Sequence, residues 1–145
     1  MQEPLEKFGA FITHSLRDEM LFYLNRLLAG AWKAPELQEL QKSLSQLDDA
    51  QKQLLYDVVD HITKTGMHSL LFALQEQADA DGSVRVFVDG QEVAKLSDGL
   101  HGEISGDDGW IVRYSKYPSE IEVERSRWAE KWIRQTFGNK DTNKT

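Results

Sequence analysis

Along the first 80 residues the hydrophobic positions recur at three- and four-residue spacing, the period of amphipathic helices. Leu5, Phe8 and Ile12 predict a short helix opening at Pro4, a residue suited to a first helical turn. Ser15 and Asp18 stand at capping-box spacing and predict a helix to about Ala29, with Leu16, Met20, Leu24, Leu27 and Leu28 inward. Gly30 suits its C-terminal stop, and Trp32 is expected to anchor the turn. Pro35 opens a helix with a narrow stripe of Leu37, Leu40, Leu44 and Leu47. Asp48 and Gln51 cap the next, whose stripe of Leu54, Leu55, Val58, Val59 and Ile62 is the cleanest in the chain. Gly66 is read as its end, and Met67, Leu70, Leu71, Leu74 and Ala78 as the inward face of a further helix.

The period changes to two at Val84. Val84, Val86 and Val88 alternate with Arg85, Phe87 and Asp89, which predicts a strand. Asp89-Gly90 then favours a tight type I′ hairpin turn. Such a turn sets Val86 opposite Val93 and Phe87 opposite Glu92, with Arg85 in reach of Glu92. Turn signals at 97–99 and 106–109 bound a weaker strand over Leu100–Ser105 and a last one over Trp110–Tyr117, ended by Pro118. After Ser119, Trp128, Trp132, Ile133 and Phe137 share one helical face, although Glu120–Glu124 also fits a fifth strand.

These elements predict one α+β domain over residues 1–138. A bundle of about four helices (4–80) precedes an antiparallel meander of three or four strands (84–117). A C-terminal helix (120–137) is expected to cover one face of that sheet, and residues 139–145 read as a disordered tail.

Composition narrows the function. The 145 residues include no cysteine, which excludes disulfides, thiolate metal sites and cysteine catalysis and fits a cytoplasmic location. No apolar run reaches the roughly 20 residues of a membrane helix, and the N-terminus is too polar for a secretory signal. A net charge of −7 argues against nucleic acid as a partner. The four basic residues Arg125, Arg127, Lys131 and Arg134 are offset by neighbouring acids. The stretch 97–109 carries four acids and no base, an acidic surface suited to a basic partner.

Asp98, His101 and Glu103 form the densest cluster of chemistry-bearing residues. On an extended strand His101 and Glu103 share a face, with Asp98 in the turn before them. A histidine beside two carboxylates suits acid–base work or a divalent metal. An Asx turn with an exposed strand accounts for the same residues. Asp107 and Asp108 extend the acidic surface, and Trp110, Arg113 and Tyr117 are residue types enriched where proteins bind one another. His14, Asp57, His61 and His68 lie on the helical half without the helical metal spacings, so caps and surface pairs account for them and no metal is assigned. Asp79, Asp81 and Ser83 open like a calcium loop, but Val84 and Gly90 stand where that loop needs glycine and glutamate. Phosphate-loop, dinucleotide and hydrolase-elbow motifs are absent, and no cofactor is implied.

The leading expectation is a non-catalytic binding module, immunity- or antitoxin-like, that caps a basic protein partner. Its site would be Asp98, His101, Glu103, Asp107, Asp108, Trp110, Arg113 and Tyr117. A metal-dependent or acid–base hydrolase using Asp98, His101 and Glu103 is one alternative. A homodimer of structural or regulatory role is the other, and it requires an uncovered apolar face.

Overall fold

The computed structural model describes residues 3–117. The fold there is mostly helical, with a small two-stranded antiparallel sheet. Helix α1 (Pro4–Ile12) does not stop where a cap was expected. A π-helical segment, Thr13–Asp18, carries it directly into α2 (Glu19–Leu28). The i→i+5 bonding of a π turn brings Thr13 and Asp18 into register, so Thr13, Arg17 and Asp18 all point inward. Ser15 and Asp18 therefore lie within a helix rather than at its start. Leu21, Leu24 and Leu27 face inward on α2, while the expected core residue Met20 is 49% exposed. Gly30, at φ +64°, ends α2 as expected, and Ala31 N–H closes back on the Arg26 carbonyl at 2.9 Å. Trp32 packs against Tyr23 and lies under the Arg26 guanidinium.

After α3 (Gln38–Leu44) comes the longest element, α4 (Asp49–Asp79), 31 residues and about 46 Å long. The predicted capping box opens it: Gln51 N–H donates to Asp48 Oδ1 at 2.8 Å, and Asp48 N–H to Gln51 Oε1 at 2.9 Å. The predicted stop at Gly66 is overturned. Asp60, Thr63, Met67, Leu71 and Ala78 form one continuous inward stripe across it. A glycine inside a helix costs about 1 kcal/mol against alanine, less than breaking that stripe would. The expected inward residues Leu54, Val58 and Ile62 point to solvent instead.

The hairpin follows the sequence closely. Strands β1 (Phe87–Val88) and β2 (Gln91–Glu92) pair Phe87 with Glu92 across Asp89 and Gly90, both at positive φ. Val93 N–H donates to the Val86 carbonyl at 3.0 Å. Arg85 grips Glu92 with two guanidinium nitrogens. The remaining meander is replaced by helical turns. Leu100–Gly102 is a 3-10 turn, and α5 (Trp110–Tyr114) stands where the last strand was expected. Neither segment buries alternate residues: Leu100 goes inward with Ile104, four residues on, and Trp110 with its direct neighbour Ile111. Runs of five or six residues are too short for alternation alone to tell strand from helix. The expected helix 120–137 and tail 139–145 lie outside the described residues.

The core joins Phe8 and Ile12 of α1 to Met67 and Leu71 of α4, and both to Val93, Leu100, Ile104 and Trp110. Trp110 is fully buried, its ring edge-on to Phe8 at 6.0 Å between centroids. Gly9 makes this possible, since a Cβ there would fall inside the indole. The segment 93–114 is thus bolted to the helices by its apolar residues, which leaves its acids outside.

Candidate functional site

Two polar clusters stand out, one buried and one at the surface. The buried one centres on Arg17, which has no solvent exposure. Its guanidinium donates to Asp60 Oδ1 from Nε at 3.0 Å and lies 2.9 Å from the same oxygen through a second nitrogen. It also donates to Ser115 Oγ and, at 2.9 Å, to the Tyr117 carbonyl. Lys64 reaches Asp60 at 3.3 Å. Asp18 accepts from Ser115 Oγ and from Lys116 N–H, and His14 Nε2–H donates to the Tyr114 carbonyl at 2.7 Å. Tyr56 stands beside this group with its hydroxyl buried and unbonded. Burial pushes its phenol up to about 12. His14, Arg17 and Asp18 all bond to main chain or side chain of residues 114–117. The cluster works as a clamp that holds the stretch after α5 onto the π segment and α4.

The surface cluster forms where the turn at 97–103 meets α4. Gln75 is the bridge: its Oε1 accepts from Leu100 N–H at 3.0 Å, and its Nε2 donates to the Ala94 carbonyl at 3.3 Å. That register brings His101 against α4. Its ring meets His68 at 5.2 Å and Phe72 at 5.1 Å between centroids, both edge-on, while His68 and Phe72 stack on each other. His101 Nδ1 is buried with no hydrogen-bond partner. Asp98 is exposed in the turn just before. Glu103 turns away and accepts from Ser97 Oγ at 2.6 Å, and the same hydroxyl oxygen accepts from Gly99 N–H at 3.0 Å.

Beyond Glu103 the loop is closed by its own backbone. Gly109 N–H reaches the Gly106 carbonyl at 3.2 Å and Trp110 N–H the Glu103 carbonyl at 2.8 Å. Gly106, at φ +89°, makes the bend. Asp107 and Asp108 sit exposed on that bend.

The expected site residues therefore separate. Asp98 and His101 lie together, and Asp107 and Asp108 follow on the adjoining bend. Glu103 serves the turn. Trp110 is core. Arg113 pairs with Glu6 and donates to the Asp108 carbonyl at 2.7 Å. The hydrogen bond from Arg113 outweighs the opposing effect of burial and holds the Glu6 carboxyl below its ordinary value. Tyr117 gives its carbonyl to the Arg17 clamp. The sequence reading missed His68 and Phe72 as members of the surface cluster. Their i, i+4 spacing, continued by Gln75, marks one face only once α4 is seen to run through Gly66. Among the described residues, no three His, Asp or Glu side chains are gathered so as to hold a metal ion, and no helix is long and apolar enough to cross a membrane. The chain matches no family model, no curated protein and no solved structure.

Proposed function

We propose that this chain is a non-catalytic protein-binding module, of the immunity or antitoxin kind, that caps a basic partner protein in the cytoplasm. The working surface is the acidic bend Asp98–Asp108 together with the His68–Phe72–His101 patch beside it. One observation carries the reading: the acids stand exposed on a loop whose backbone is closed on itself and whose apolar residues Leu100, Ile104 and Trp110 are locked in the core. A fixed acidic rim costs little ordering entropy on binding and steers a basic partner toward it. The half-exposed Phe72 and the two imidazoles supply the aromatic contact area such a surface needs at its centre.

The test is capture from a lysate of the source organism. The wild-type protein is compared with an Asp98→Asn/Asp107→Asn/Asp108→Asn variant and with Phe72→Ala. Both variants should keep the wild-type fold by circular dichroism and lose the captured partner. Undiminished capture by both would sink the reading.

A further inference from the structure

The outer face of α4 lacks a partner among the described residues. Leu54, Val58 and Ile62 recur every four residues on the side opposite Asp60 and Met67, and they are 64%, 44% and 63% exposed. Leu55 and Val59 continue the face toward Tyr56. Over about 12 Å of helix this is a solid apolar strip, and water-exposed strips of that kind are occupied in working proteins.

The chain's own course indicates the occupant. Tyr117, the last described residue, is held by its carbonyl to Arg17, and Arg17 is held to Asp60 on α4. Tyr117 also lies close enough to Tyr56 to influence its phenol. The chain thus leaves the described fold beside Tyr56, at the flank that leads through Val59 and Leu55 to Ile62. Twenty-eight residues follow, 118–145, and they carry Trp128, Trp132, Ile133 and Phe137 at spacings that fit one helical face. The hairpin offers no competing platform, since its strands are two residues long.

We propose that the segment 119–137 docks its apolar face on the outer face of α4, over Leu54, Val58 and Ile62, and that the Arg17 clamp aims it there. Tethering favours this occupant over a second copy of the chain. A segment joined to its site by a few residues is present at an effective concentration on the order of millimolar, well above ordinary protein concentrations. The inference does not rest on the partner-binding reading, whose patch lies farther along the same side of α4, with Phe72 five full turns beyond Leu54.

The absence of cysteine makes a disulfide scan clean. In the full chain, single cysteines at Val58, Ile62 or Gly66 are each combined with Ala129→Cys, on the apolar side of the segment, or with Arg127→Cys, on its polar side. Gly66 accepts a side chain without contact. Crosslinking under mild oxidation is read as mass and as rate, on variants that keep the wild-type circular dichroism. Docking predicts an intrachain bond that forms roughly tenfold faster with position 129 than with 127 for at least one partner site, since a merely tethered segment samples both alike. Equal rates at 127 and 129 would overturn the proposal. A crosslinked product of twice the chain mass would overturn it as well, and would assign the face to a second copy.

Discussion

Replacing Arg17 by methionine tests the buried clamp. The guanidinium is fully enclosed and holds Asp60, Ser115 and the Tyr117 carbonyl at once. Without it, the Asp60 carboxylate, 1% exposed, is left with Lys64 alone at 3.3 Å. Removing one partner of a buried ion pair costs about 3–5 kcal/mol, because the other charge stays desolvated. At about 2–4 °C per kcal/mol for a chain of this size, the melting temperature should fall by roughly 6–20 °C. The double variant Arg17→Met/Asp60→Leu removes both charges. What remains is mainly the lost bonds to Ser115 and Tyr117, about 1–2 kcal/mol. The double variant should therefore be more stable than Arg17→Met alone. Urea denaturation of wild type, both single variants and the double variant gives the coupling energy, expected at about 2 kcal/mol or more. A single-variant cost below about 1 kcal/mol, or additive costs, would show that the clamp does not hold the fold as described.

Two glycines, one acid and one phenol give further tests. Gly9→Ala should destabilise the protein by about 1–3 kcal/mol because the new methyl meets Trp110, while Gly66→Ala should stabilise it by about 0.5–1 kcal/mol, since nothing stands near an added Cβ. Equal effects of the two in urea melts would contradict the packing. Arg85 holds the Glu92 carboxyl at about 2 instead of 4.5, so its contribution is complete above pH 4.5 and is lost as pH falls toward 2. The difference in urea midpoint between wild type and Glu92→Gln should shrink across that window, and a pH-independent difference would refute the pairing. Tyr56 should ionise near pH 12 in an ultraviolet titration, above the ordinary phenol value of 10. Its effect on stability has the opposite sense: the unfolded phenol ionises near 10, so stability falls as pH rises from 10 toward 12. Tyr56→Phe should remove that late step.

The parts of the fold legible in the sequence are those decided by neighbours along the chain. The Asp48/Gln51 capping box, the Gly30 stop and the Asp89-Gly90 hairpin with its Arg85–Glu92 pair are all local, and all are present. What misled was the use of hydrophobicity as a guide to the inward face. On α4 the inward face carries Asp60 and Thr63, and the main partner that lets Asp60 sit there is Arg17, 43 residues earlier, with Lys64 beside it. A pairing over that separation leaves no local trace, so the hydrophobic pattern alone points Leu54, Val58 and Ile62 inward. The same blindness hid the site. His101 and Asp98 were visible as chemistry, but their companions His68 and Phe72 arrive through Gln75, a tertiary bond that spacing within 97–109 does not contain. Trp110 and Tyr117 look alike as aromatic residues of one expected strand. Packing separates them, one into the core against Phe8 and the other onto the Arg17 clamp.

The claim that a fixed acidic rim recruits a basic partner is tested most directly by association kinetics. The captured partner, once purified, is mixed with the wild-type chain and with the Asp98→Asn/Asp107→Asn/Asp108→Asn variant over a range of ionic strengths. The account predicts an association rate that is fastest at low salt, falls steeply as salt is added, and loses most of that dependence in the variant. The same flat salt dependence for both proteins would contradict it.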